Sequence, residues 1–295
     1  MTVGTDRRSV LTGLGALALG ACGDVSQIDV TLFDHPIDLS ALEARQGGRL
    51  GLCAYGRKGR LHWRGDERFV YCSTFKMYLA AATLLRVQSG EERLDRPVQV
   101  TQADMINHAP VTEPAIGGTL TIEQLMKGTV EVSDNPAANI LIREMGGLEV
   151  LRAFYRGIDD TDTRVDRLEP EMNRLDGDKD TITPIQSVAN IQRLLVSPNT
   201  PLSAASKALL MRWLVDTPTG MGRIKAGVPA GWRVAHKTGT GGYGPTNDIG
   251  VLYPPSGDPV VIAVYFHATS ASSSAQNEAV IADATRMALA ALGHA

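Results

Sequence analysis

The 295-residue sequence is poor in several things, and each scarcity excludes something. It has three cysteines, so no disulfide framework holds it together. Aromatic residues make up 5%, and the net charge of -3 is too small for a broad basic field that would grip nucleic acid. The six histidines show no H-x-H-x-D cluster and no H-E-x-x-H, so no zinc or other metal site is expected. There is no G-x-S-x-G elbow, and His236 has no sequence argument for serving as the base of a Ser-His-Asp triad. Repeats are absent, and 43% hydrophobic content argues against disorder. What remains is an ordinary globular chain, long enough for one large domain or two closely packed ones.

The only apolar run at the N-terminus, Val10 to Leu19, is too short to span a bilayer comfortably. Arg7-Arg8 precedes it and Leu19-Gly20-Ala21-Cys22 follows. Residues 1–22 thus read as an export signal with twin-arginine and lipobox-like features. Cys22 is then the expected lipidation site, the alternative being a small residue near an ordinary cleavage point. The expected place is the periplasm or the outer side of the cell membrane.

Beyond it, Leu50–Tyr55, Arg60–Trp63 and Phe69–Tyr71 read as short strands. Thr74–Ser89 is a nearly unbroken apolar run closed by Gly90, the pattern of a buried helix. Thr121-Ile-Glu-Gln124 is a capping box opening a helix to about Val132, and Asn135-Pro136 opens another to Met145. Leu148–Tyr155, Pro184–Leu195 and Ser203–Val215 are further helices. Strands return at Arg233–Thr240, Asp248–Tyr253 and Val260–Thr269, and an Ala-rich helix, Gln276–Leu292, follows. The expected fold is α/β of the α+β type. An antiparallel five-stranded sheet built from both chain ends (23–72 and 216–295) would pack with a mainly helical lobe (73–215), with the active site in the cleft between them.

Four segments carry chemistry. In Ser73-Thr-Phe-Lys76, three-residue spacing stacks a hydroxyl and an amine on one helix face, and Lys76 interrupts an apolar run where charge is costly. A lysine whose burial lowers its pKa can take a proton from serine, and a helix N-terminus favours a developing anion. Ser133-Asp-Asn135 lies between two helices, where such residues also serve as N-caps. Glu169-Pro-Glu-Met-Asn173 sits in a charged loop, and Lys237-Thr-Gly-Thr240 runs along a strand.

S-x-x-K, S-D-N and K-T-G in this order form a known catalytic set, and with E-x-x-x-N added the chain resembles a class A serine β-lactamase from about Leu50 onward. The resemblance implies that Ser73 attacks the β-lactam carbonyl, with Lys76 and Glu169 as candidate bases. Glu169 with Asn173 would activate the hydrolytic water. Ser133 would relay a proton to the leaving nitrogen, and Asn135 would bind the substrate's side-chain amide. Lys237, Thr238 and Thr240 would hold the substrate carboxylate, and the amides of Ser73 and Thr240 would form the oxyanion hole. Arg167 and Asp180 would pair to close the loop, which is a residue shorter here than in well-known members. No arginine stands near Thr246, so Arg223 would supply the guanidinium for the carboxylate, unless it is a surface arginine. His108 would stand at the entrance in place of an aromatic. Cys72 has Gly241 where some members have a partnering cysteine, so Cys72 and Cys53 read as structural thiols. No cofactor is called for, the expected partner is a small β-lactam, and nothing points away from a monomer. The alternative is a penicillin-binding D,D-peptidase or sensor that acylates without turnover, against which Glu169 speaks.

Overall fold

The computed structural model describes residues 34–242, 244–269 and 271–294. The export segment and Cys22 lie outside them. The first described element is the three-residue strand β1 (Asp34–Pro36), followed by helix α1 (Ser40–Gln46), strands β2 (Gly48–Gly56) and β3 (Gly59–Trp63), and the short β4 (Phe69–Val70). The central part holds α2 (Phe75–Gln88), β5 (Pro97–Gln99), β6 (Thr119–Thr121), α3 (Ile122–Glu131), α4 (Asn135–Met145), α5 (Leu148–Gly157), β7 (Thr181–Ile182), α6 (Pro184–Ile191) and α7 (Ala204–Asp216). The chain closes with α8 (Ile224–Gly227), β8 (Arg233–Thr240), β9 (Pro245–Tyr253), β10 (Val260–Ala268) and α9 (Ser274–Ala291).

The main sheet has six strands in the order β1-β3-β2-β10-β9-β8, which corrects the expectation of five antiparallel ones. The addition is β1, which runs parallel to β3 and is tied to it by a two-pronged bond from Arg60 to Asp34 at 2.7 and 2.6 Å. Asp-His-Pro carries no strand propensity, so pairing alone makes it a strand. The other pairings are antiparallel and join strands from both ends of the chain.

Strand β10 shows why the sheet is an inner layer. Its side chains alternate between faces, and both faces are apolar. Val261, Ala263 and Tyr265 join one buried cluster, with the helices from α2 to α7. Val260, Ile262, Val264 and Phe266 join the other, with Leu42 of α1, Ile224 of α8 and Val280, Ile281, Ala284 and Ala288 of α9. Each of the Val, Ile, Leu and Phe side chains among them contributes roughly 1.5–3 kcal/mol by leaving water.

Local signals explain the helices. The box at Thr121 forms as read, with Gln124 N donating to Thr121 Oγ1 at 3.2 Å and Thr121 N to Gln124 Oε1 at 2.8 Å. Helix α2 is buried on all sides through Leu84 and turns out at Gly90, whose φ of +78° suits a residue without Cβ. No helix among the described residues is long and apolar enough to cross a membrane.

Candidate active site

Strand β8 is an edge of the sheet, and it passes across the start of α2. The approach demands glycine. A Cβ on Gly239 would sit 2.6 Å from Tyr71 O and 3.1 Å from Thr74 N. Beside this crossing lies a cleft of about 470 Å³, lined among others by Ser73, His108, Ser133, Asn135, Asn173, Arg223, Thr238 and Thr240. Eight of the sequence-predicted site residues therefore share one cavity. Three more, Lys76, Glu169 and Lys237, are buried at 0%, 2% and 0% exposure and bond to the lining residues Ser133 and Ser73.

Ser73 sits in a short 3-10 turn, Cys72–Thr74, that leads into α2. Its hydroxyl donates to Glu169 Oε1 at 3.2 Å. Lys76 stacks one turn on, but its ammonium turns to other acceptors: Ser133 O at 2.7 Å, Asn135 Oδ1 at 2.5 Å and Glu169 Oε1 at 3.1 Å. Burial pushes the Lys76 amine below its ordinary value, and the Glu169 carboxylate opposes part of that shift. Lys237 donates to Ser133 Oγ at 3.2 Å and Thr238 O at 3.0 Å. Burial first, then the neighbouring Lys76 charge, holds it well below the ordinary lysine range. Ser133 Oγ thus lies within hydrogen-bond reach of both ammonium groups, the longer contact being 3.4 Å from Lys76. A shared hydroxyl between two such amines is suited to moving a proton.

The S-D-N segment splits its duties. Ser133 takes a left-handed φ of +61°, which aims its side chain into the cleft. Asp134 points the other way, capping α4 through Ala137 N at 2.8 Å and holding Val111 N at 2.8 Å and Thr112 N at 3.0 Å. The segment thus caps a helix through Asp134 and lines the cleft through Ser133 and Asn135. Asn135 joins Lys76 to Asn107 O, the latter at 3.0 Å. His108, at the rim, sits 2.8 Å from Val132 O through Nε2.

Glu169 hangs on a loop fastened at both ends. Asp180 accepts from Asp166 N at 2.8 Å, Arg167 N at 3.0 Å and Arg167 Nε at 2.6 Å, so the Arg167–Asp180 pair forms. The pairing of β4 with β7 ties the same loop to the residues just before the nucleophile. Asn173 donates to Glu169 Oε2 at 2.5 Å, while its own Oδ1 is buried without a partner. Sequence reasoning missed Asn139. It clamps the Glu169 peptide with both ends of its amide, at 3.1 and 2.8 Å. Its position four residues after Asn135, on the same face of α4, was the available clue.

Arg223 is 6% exposed, which removes the surface-arginine reading. It donates to Glu278 Oε1 at 3.1 Å, Gly239 O at 3.1 Å, Asn247 O at 2.9 Å and Thr240 Oγ1 at 2.8 Å. The last bond fills a lone pair of Thr240 and leaves its O–H free for an acceptor in the cleft. Glu278, on α9, is a second partner that the motifs did not reveal. Cys72 and Cys53 are buried free thiols, and burial raises Cys53 to about 12. His236 pairs with Asp248 at 2.9 Å inside the sheet, away from Ser73's hydrogen bonds. Among the described residues no cluster of ligating side chains could hold a metal ion.

This is a serine whose hydroxyl meets a buried carboxylate, itself paired with a buried amine, at a cleft lined in part by Arg223. Comparisons with known proteins agree. The chain matches the β-lactamase enzyme family over residues 38–292. It is 40% identical over 232 residues to a β-lactamase of Citrobacter koseri, covering 77% of this chain and 78% of that one. It is 36% identical over 264 residues to β-lactamase CTX-M-6 of Salmonella typhimurium, covering 88% and 89%. Among solved structures, an ancestral class A β-lactamase superposes with a TM-score of 0.82 at 45% identity, covering 86% of this chain and 98% of that one. The class A β-lactamase of Mycobacterium abscessus gives 0.82 at 41% identity, covering 86% and 98%. The chain belongs to the β-lactamase enzyme family. Within it the enzyme is a class A serine β-lactamase, a hydrolase that opens the β-lactam amide through a serine acyl-enzyme.

Proposed function

We propose the following division of labour in that reaction. Ser73 attacks the β-lactam carbonyl and the ring C–N bond breaks, giving an ester on Ser73. Lys76 and Glu169 share the task of taking the serine proton, and Ser133, between Lys76 and Lys237, passes a proton to the departing nitrogen. The backbone N–H groups of Ser73 and Thr240 receive the oxyanion, each such donor being worth roughly 3 kcal/mol. Glu169 and Asn173 then activate a water that cleaves the ester. Lys237, Thr238 and Thr240, backed by Arg223, hold the substrate carboxylate. Asn135 and His108 contact the substrate's side chain.

The observation that carries this reading is the convergence on Glu169. One carboxylate reaches the Ser73 hydroxyl at 3.2 Å and the Lys76 ammonium at 3.1 Å, so the hydrolytic base adjoins the acylated atom. The test is a chromogenic cephalosporin and a penicillin given to the purified enzyme. Sustained turnover is expected. Stoichiometric labelling of Ser73 without turnover would reverse the reading in favour of a penicillin-binding peptidase or sensor.

Arg223 gives a second expectation. Removing a charged donor from the Thr240 hydroxyl costs about 1.5–3 kcal/mol. R223A is expected to lower kcat/KM roughly ten- to a hundredfold. Unchanged steady-state constants across substrates would remove Arg223 from the carboxylate site.

We also propose that residues 1–22 direct export, that Cys22 becomes the lipidated N-terminus, and that the enzyme works as a monomer outside the cell membrane. The support is the Arg7-Arg8 pair, the short apolar run and the Leu-Gly-Ala-Cys sequence. Mass spectrometry of the membrane fraction should find a diacylglyceryl group on Cys22. A soluble product cut at another residue would reject the anchor.

A further inference from the structure

Behind Thr238, the threonine of the K-T-G segment, stand two further hydroxyls that the four motifs do not include. Thr217 Oγ1 donates to Glu131 O at 2.7 Å, Thr219 Oγ1 stands 2.9 Å from Thr217 Oγ1, and Thr238 Oγ1 stands 2.9 Å from Thr219 Oγ1. Glu131 O belongs to the last turn of α3, whose carbonyls have no partner within the helix. Thr217 is buried beside it, at 2% exposure, so its proton has a fixed destination.

Each threonine has one proton to donate. With Thr217 committed to Glu131 O, the contact at Thr217 Oγ1 needs the proton of Thr219. The contact at Thr219 Oγ1 then needs the proton of Thr238. This is the only order in which three protons make all three bonds. It points every O–H away from the cleft, so Thr238 presents a bare lone pair to the place where a substrate carboxylate would lie.

We propose that Thr217 and Thr219 are positioning residues whose proton order sets the direction of the Thr238 hydroxyl, and that substrate binding reverses this order. When Thr238 turns its O–H to the carboxylate, both hydroxyl–hydroxyl bonds are kept only if Thr219 donates to Thr238 and Thr217 donates to Thr219. Glu131 O loses its hydrogen bond at the far end. The gain of one bond to the anion is offset by the loss of the bond at Glu131 O, which lowers affinity for anionic substrates. This inference rests on the proposed place of the carboxylate beside Thr238.

The test compares a penicillin with its methyl ester, which carries no anion. Thr217→Val has nearly the shape of threonine and removes the bond that fixes the order, so the chain can point outward at no loss. Thr219→Val frees the Thr238 proton directly. Each is expected to raise kcat/KM for the acid about two- to tenfold, the equivalent of one neutral hydrogen bond. The ester should not change, Thr217→Ser should match the native enzyme, and the double valine variant should equal either single one. A merely structural role would move acid and ester together. Because Thr219 is half-buried, Thr219→Val carries the test alone should the Thr217 variant fail to fold. Unchanged or lower kcat/KM for the acid, or equal effects on acid and ester, would overturn the proposal. Thr238→Val separates the two levels of argument. If it leaves the acid-to-ester ratio intact, the carboxylate does not lie at Thr238 and the site reading itself fails. If it collapses the ratio while the Thr219 variant does nothing, only the relay fails.

Discussion

E169Q is expected to trap the acyl-enzyme. Mixed with a penicillin, the variant should gain the full mass of one substrate molecule on Ser73 and hold it, while the native enzyme returns to its unmodified mass. Glu169 contributes two separable things. Its backbone is clamped by Asn139 at 3.1 and 2.8 Å, and its loop is fastened through Asp180. Neither contact uses the carboxylate, so glutamine keeps the placement. What glutamine loses is basicity at the atom 3.2 Å from the Ser73 hydroxyl. A positioned general base is worth on the order of a hundred- to ten-thousandfold, and deacylation should slow by that factor. Acylation should suffer less, because Lys76 remains as a second proton acceptor. With the carboxylate gone, the charge that opposed the burial effect on Lys76 is gone too, so its amine shifts further toward the neutral, basic form. Intact mass measured over seconds to hours decides the matter. No adduct, or undiminished hydrolysis, would refute the role given to Glu169.

The parts of this enzyme legible in its sequence are those where one local rule governs. The box at Thr121, the Gly90 stop and the Asn135-Pro136 start depend on neighbours within four residues, and they form where they were read. Helix ends drift by one or two residues, as at α9, which begins at Ser274 rather than Gln276 because Ser273 supplies the cap. The four motifs were legible because their residue types are unusual for their surroundings, Lys76 in an apolar helix most of all. What was not legible is pairing over distance. β1 was not read at all and is held to β3 by Arg60 and Asp34, and β4, read as a strand, gave no sign that its partner is β7. Thr219 and Glu278 meet Thr238 and Arg223 by a proximity that no spacing along the chain encodes, and for Asn139, which holds Glu169, the four-residue step from Asn135 was the one clue. The same limit applies to Lys76. The sequence placed its amine beside Ser73, and the folded chain sends it to Glu169, Asn135 and Ser133.

That arrangement makes Lys76 the residue whose removal should be felt twice. K76M keeps the length of the stem and deletes the charge. Acylation should fall on the order of a thousandfold, because the amine is a candidate base for Ser73 and steadies Ser133. Stability should fall as well. Lys76 and Glu169 form an ion pair with both side chains at 0% exposure, and a buried charge left without its partner costs about 3–5 kcal/mol. Urea denaturation should therefore show K76M less stable than the native enzyme by about that amount. K76M/E169Q, with no carboxylate to strand, should recover most of the stability and none of the acylation. No deficit, or a double variant no more stable than the single one, would mean that the pair contributes little to the fold. Native acylation by K76M would leave Glu169 as the sole base for the first step.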